Sequence, residues 1–291
     1  MKPLTPSPGL TRRGAILTTA GAATMGLATW AKVAGIELGV CEKPAEFAKC
    51  EQLGYDYLEP SATQIAGMTD TAFTAFRDQV KASKIYCRST NILLSGPALK
   101  VVGTDVNLDA VTKFLDSTFD RCKAIGGKVV VWGSSGSRKV PEGYSRDTAW
   151  DQIKTYLARA GEIAKAHGLV IGIEPLRKQE SNIINTGAEE LKLLTEVNHP
   201  NIKMIIDYYH LAIEKEDPEI VRTAKDHIVH MHFANPAGRR WPHSPEEDPG
   251  YAPFFKAVKD IKYQGGLSIE GTGTFDADGA ASMAFFKTEL A

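Results

Sequence analysis

Asp207 closes the β-branched run Ile202–Ile206, and His210 follows it by three residues. In the next apolar run, Ile228–Phe233, His230 and His232 alternate. Two more carboxylates end similar runs, Glu174 in LVIGIEPL and Glu270 in GGLSIEG. Oxygen and imidazole donors gathered at strand ends are the makings of a divalent-metal site. Three carboxylates crowded into a low-dielectric mouth would repel one another and take up protons unless a cation balanced them. For any one acid alone, a surface or salt-bridged role is the plainer reading. Taken together, Glu174, Asp207, His232 and Glu270 are expected to hold one divalent ion. Oxygen and imidazole ligands without thiolate suit Mn²⁺ first, then Co²⁺ or Mg²⁺, with Zn²⁺ as a further candidate.

Those residues must be positioned by strands. Short β-branched or aromatic runs bounded by Gly, Pro or polar residues predict strands at Ile36–Cys41, Tyr55–Glu59, Lys84–Thr90, Lys128–Trp132, Leu169–Glu174, Ile202–Asp207, Ile228–Phe233 and Gly266–Glu270. Helical patterns lie between them, including Pro44–Leu53, Leu108–Ile125, Thr148–His167, Glu189–Val197, Pro218–Lys225 and Tyr251–Ile261. Asn107, Asp147 and Thr186 are the expected helix starts, and Gly168 an expected stop. Eight strands alternating with helices from residue 36 to 291 predict a single-domain (β/α)8 barrel, a fold of about 250 residues. An open doubly wound sheet is the rival. It is disfavoured by the strand count and by the lack of a glycine-rich fingerprint after the first strand.

Functional side chains of such a barrel sit at the C-terminal ends of its strands. Glu59, Trp132, Glu174, Asp207, His232 and Glu270 all lie there. The period of two puts Glu174 on one face with Gly172, and Glu270 with Ser268 and Gly266. It also sets His230 and His232 opposite Val229, Met231 and Phe233. His230 is deeper than His232 and reads as a buried structural histidine. Trp132 and Glu59 are candidates to line the pocket, although an aromatic at a strand end is as often core as platform.

The motifs IGIEPL with Glu180 six residues beyond Glu174, IIDYYH, HMHF and LSIE together resemble the xylose isomerase-like barrel superfamily. The closest likeness is to its ketose 3-epimerase and hydroxypyruvate isomerase branch. The resemblance implies that the positions of Glu174, Asp207, His232 and Glu270 bind a single metal. It further implies that Glu174 and Glu270 are acid and base, and that His210 contacts a carbohydrate substrate. Metal bound to a carbonyl and the neighbouring hydroxyl would stabilise an enediolate, with one carboxylate removing the α-proton and the other returning it. Glu180 either holds a sugar hydroxyl or ties down its loop. The long segment from Ala234 to Gly250 reads as a lid. Arg239 or Arg240 in it is the expected donor to the sugar, although the family spacing lands on Gly238. Trp241 either stacks on a sugar face or packs the lid. Arg177 replaces the asparagine usual near that place.

The chain is globular in composition, with 34 basic against 35 acidic residues and 43% hydrophobic. No basic cluster marks a nucleic-acid or membrane-surface partner. Thr11-Arg12-Arg13-Gly14-Ala15-Ile16-Leu17 resembles a twin-arginine signal, so residues 1–31 are expected to direct export to the periplasm. A disordered or helical N-terminal extension is the alternative. No membrane span is expected in the mature chain, and a homo-oligomer is compatible with the sequence. Cys41, Cys50, Cys87 and Cys122 show no metal spacing and read as buried thiols.

Three functions remain open from these residues. The first is a metal-dependent isomerase or epimerase of a keto-sugar. The second is a lyase that begins with the same proton abstraction and expels a β-glycosidic oxygen from a 3-keto-glycoside. The third is a sugar-binding barrel without catalysis. A nuclease of the same superfamily is disfavoured by the acidic charge and the shortage of histidines in the early strands.

Overall fold

Eight short parallel strands form the centre of the computed structural model, which describes Met1 and residues 35–291. The export segment predicted within residues 1–31 lies outside the described residues. The strands are β1 (Glu37–Cys41), β2 (Tyr57–Glu59), β3 (Ser89–Thr90), β4 (Val129–Trp132), β5 (Val170–Ile173), β6 (Ile202–Asp207), β7 (Ile228–Phe233) and β8 (Gly266–Ile269). Their order is β2-β1-β8-β7-β6-β5-β4-β3, each pair parallel. The remaining seam, between β2 and β3, is closed by bridges at Tyr57–Tyr86 and Ser61–Asn91. The Leu58 amide donates to the Tyr86 carbonyl at 3.0 Å, and the Ala62 amide to the Asn91 carbonyl at 2.7 Å. The chain is a (β/α)8 barrel. The third strand is shorter than predicted, because residues 84–88 meet their neighbours through single bridges rather than a continuous ladder.

Helices cover the outside, and their punctuation is local. Asn107 caps Leu108–Ala124 by accepting from the Ala110 amide, and Thr186 caps Gly187–Val197 through the Glu189 amide. Gly168 ends Arg146–His167 at φ 65°, where a side chain would be strained. The predicted start at Asp147 is corrected to Ser145, whose hydroxyl accepts from the Thr148 amide. Asp147 sits instead in the first turn, where a carboxylate suits the helix dipole. Helix Tyr208–Glu214 begins directly on Asp207, so His210 lies in its first turn and not on a loop.

Inside the barrel Val129, Val131 and Ile205 form a small core of their own, with Val229 against it. The glycine at 172 is filled from the side: a Cβ there would stand 2.5 Å from Ile205 Cγ2. Val229 was expected to face the helices with Met231. The register shifts between Met204 and Ile205, so Met204 pairs with Ile228 and Ile205 with His230. That shift leaves Val229 as the extra residue of a bulge, turned into the barrel. On the helix side, Phe233 anchors the end of β7. Tyr208 stacks on it at 4.7 Å, and Tyr251, Phe254, Phe255, Phe285 and Phe286 surround it. This clamp holds the strand that presents His232 on its other face.

Candidate active site

The upper ends of β5 to β8 bring four predicted residues to one place. Glu174 directly follows β5, and its amide still bonds the Trp132 carbonyl at 3.3 Å. Glu270 follows β8 in the same way, bonding the Phe233 carbonyl at 3.1 Å. Asp207 ends β6 and pairs with His232 across the ladder. One ligand atom from each of Glu174, Asp207, His232 and Glu270 lies within 4.8 Å of the others.

The imidazole of His232 sets the geometry. Its Nδ1 lies 2.9 Å from Glu174 Oε1 and 3.2 Å from Glu270 Oε2, while its Nε2 lies 3.0 Å from Glu59 Oε1. Glu59 is fully buried behind it. The other Glu59 oxygen takes His230 Nε2 at 2.8 Å, Ser89 Oγ at 2.6 Å and Ser268 Oγ at 2.5 Å. Burial works to raise the Glu59 pKa, but His230 and His232 outweigh it and hold the carboxyl well below its usual range. A carboxylate that accepts Nε2–H fixes the tautomer and ring plane of a histidine, leaving Nδ1 as the ligand. Glu59 is therefore a support beneath the site and does not line the pocket. His230 completes that support, as its depth suggested.

The free oxygens point the same way. Asp207 Oδ1 accepts from the Tyr209 amide at 2.7 Å, and no described residue hydrogen-bonds the buried Oδ2. Glu270 Oε1 accepts from Asn91 Nδ2 at 3.0 Å, leaving Oε2 toward His232 and Arg239. Burial, and then the Glu270 charge, raise the Glu174 pKa. Burial pushes Asp207 up to about 6 against the pull of Arg239. At Glu270 burial is overcome by His232 and then Arg239, which lower it to about 2. An orphaned buried carboxylate oxygen, and an imidazole nitrogen shared between two further carboxylates, fit a single divalent cation. The site also offers two carboxylates whose environments push their proton affinities apart, a recurring arrangement in acid–base pairs.

His210 is 1% exposed, with Nε2 3.6 Å from Asp207 Oδ2. Its Nδ1 accepts from the Arg177 amide at 3.1 Å, and burial lowers its pKa. The ring is thus neutral with its hydrogen on Nε2, which no described residue hydrogen-bonds. Arg239 reaches in from the long loop. Its Nη2 lies 2.7 Å from Glu270 Oε2, and its Nη1 3.6 Å from Glu180 Oε1. Arg177 Nε holds the same Glu180 oxygen at 2.6 Å.

Three expected pocket residues are elsewhere. Trp132 is fully buried on the helix side, against Tyr156 and Arg138, with its indole N–H on Ser137. Strand parity explains this, since Val129 and Val131 take the interior face. Trp241 is 2% exposed, bonds the Gly271 carbonyl and packs edge-on to Phe275, so it secures the loop. Arg240 turns back onto the Ala237 carbonyl, whereas Arg239 reaches the Glu270 carboxylate. Two neighbours escaped the sequence reading. Asn91 follows β3 directly, a strand-end position that offered the signal. Cys41 ends β1 with Sγ 3.8 Å from His232 Nε2, only partly buried, while Cys50, Cys87 and Cys122 are buried free thiols.

Over 232 residues the chain is 28% identical to an L-ribulose 3-epimerase of Methylomonas sp. (strain DH-1), covering 77% of this chain and 76% of that one. It is 26% identical over 166 residues to a 3-dehydro-D-guloside 4-epimerase of Escherichia coli (strain K12), covering 55% and 62%. A crystal structure of D-psicose 3-epimerase in the presence of D-fructose superposes with a TM-score of 0.75 at 19% identity, over 88% of this chain and 97% of that one. Residues 47–288 match the family described as xylose isomerase-like TIM barrel, and the chain belongs to that family.

Proposed function

We propose that this protein is a divalent-metal-dependent epimerase of a keto-sugar, with Glu174 and Glu270 as the two proton-transfer groups. The observation that carries the reading is that both carboxylates, from strands separated by two others, reach the same imidazole nitrogen at 2.9 and 3.2 Å. They therefore flank one point from different sides of the mouth. Held by Glu174, Asp207, His232 and Glu270, a divalent cation would supply Lewis-acid polarisation of the substrate carbonyl. One glutamate removes the proton α to that carbonyl, and the other delivers a proton to the opposite face of the same carbon. Opposite-face return inverts the centre, which is epimerisation. The neutral His210 offers its Nε2–H to a sugar oxygen, Arg239 offers guanidinium donors, and Glu180 accepts from a hydroxyl. The epimerase names of the sequence relatives support the same reaction class.

The test is incubation with Mn²⁺ in D₂O against free ketoses and 3-keto-glycosides, followed by NMR. The expected result is exchange of one α-hydrogen with formation of an epimer of equal mass, abolished by EDTA. Release of an aglycone would assign the lyase reaction instead. Saturable binding without exchange would leave a non-catalytic sugar-binding barrel. We propose in addition that residues 1–31 direct export, so that the substrate is met outside the cytoplasm.

A further inference from the structure

We propose that the Arg239 guanidinium occupies carboxylate oxygens of the metal-free site, and that metal loading and release of Arg239 toward the sugar are one coupled event. The inference rests on the reading of Glu174, Asp207, His232 and Glu270 as metal ligands. The hydrogen bonds already made show which oxygens are most open to a cation. Asp207 Oδ1 is committed to the Tyr209 amide and Glu270 Oε1 to Asn91, leaving Asp207 Oδ2 and Glu270 Oε2. Those two atoms are the ones Arg239 Nη2 faces, at 3.7 and 2.7 Å. Arg239 therefore competes with a metal ion for the same lone pairs.

The surrounding chain holds the arginine ready for this. Gly238 and Arg239 are consecutive left-handed residues, at φ 85° and 53°, which turn the side chain back toward β8. The Thr272 amide donates to the Arg239 carbonyl at 2.7 Å. A Cβ at Gly271 would stand 2.5 Å from that carbonyl, so only glycine lets the two loops close. The guanidinium lies over the Tyr209 ring at 4.8 Å, a platform that remains when the carboxylates are taken. With its backbone pinned and its head stacked, the side chain need only swing. Its freed N–H groups then face the mouth beside His210 Nε2. In the metal-free site Arg239 thus offsets part of the carboxylate charge, and substrate donors become available only after loading.

The experiment is calorimetric titration of Mn²⁺ into metal-free wild type, Arg239→Met, Arg239→Lys and, as a control, Arg240→Met. Competition predicts that Arg239→Met binds Mn²⁺ about tenfold more tightly than wild type, a typical coupling between linked sites. Arg239→Lys should fall between, and Arg240→Met should match wild type. The metal-free Arg239→Met protein should also melt lower than metal-free wild type, while the Mn²⁺-saturated forms melt together. Equal or weaker Mn²⁺ affinity in Arg239→Met, with clear binding by wild type, would overturn this inference alone. Absence of Mn²⁺, Co²⁺, Mg²⁺ and Zn²⁺ binding in every form would overturn it together with the metal reading.

Discussion

Glu59 touches no solvent, yet the chemistry of the mouth depends on it. Its carboxylate takes Nε2 of His232 and leaves Nδ1 toward Glu174 and Glu270. Glu59→Gln keeps a hydrogen-bonding group but removes the charge, so metal affinity should fall roughly 10–100-fold. Mn²⁺ titration of the folded variant measures this, and unchanged affinity would mean that Glu59 only fills space. The two glutamates proposed to transfer protons invite a sharper test. Glu174→Gln and Glu270→Gln should each abolish conversion between epimers, a loss of roughly 10²–10⁴-fold or more. Each variant keeps one base, however, and should still exchange the α-hydrogen of one epimer in D₂O while leaving the other epimer inert. Exchange of both epimers by either variant would remove that glutamate from the mechanism. At this scale the sequence was legible where a residue's type and its strand-end position agreed, as at Asp207 and His232. It misled at Trp132, because a strand end says nothing about which face the last residue takes. Asn91 was missed, and Cys41 was read as a buried thiol although it is only partly buried beside His232, because neither residue type reveals its neighbours in space.

Strands and loops carry the tolerance of the site. Gly133 follows β4, and a Cβ there would collide with the Glu174 carboxylate. Gly133→Ala should therefore abolish metal binding while melting close to wild type, as circular dichroism and Mn²⁺ titration would show together. The opposite pattern is expected at Phe233, which faces six aromatic rings on the helix side. Phe233→Ala should cost about 3–5 kcal/mol in chemical denaturation, because packed rings cannot collapse into the space left behind. A cost below about 1 kcal/mol would show that the clamp on β7 is redundant. The strands and most caps were readable from β-branched runs and punctuating residues. Two features were not. The bulge at Val229 reverses a parity that the sequence states cleanly, because register depends on the neighbouring strand. Helix Tyr208–Glu214 has no apolar period of its own and starts on a residue whose side chain serves both as cap and as candidate ligand.

For the molecule as a whole, the barrel could be counted but its closure could not. Eight runs were visible, whereas the β2–β3 seam rests on bridges at Tyr57 and Ser61 that no strand propensity foretells. The proposed export of the chain has a further consequence at this scale. All four cysteines are free thiols, and the (β/α)8 barrel closes by strand pairing and packing without a disulfide among the described residues. Such a barrel can fold in a reducing compartment, and the proposed metal could be loaded there ahead of the proposed export. A twin-arginine route carries folded cargo, so loading and transport are compatible in that order. Replacing Arg12 and Arg13 together by lysine should then retain the protein inside the cytoplasm, metal-bound and active, while the wild-type chain is recovered from the periplasmic fraction. Immunoblots of fractionated cells, with manganese content measured on each purified pool, provide the comparison. Equal distribution of the two chains would show that residues 1–31 are an extension of the barrel's chain and carry no address.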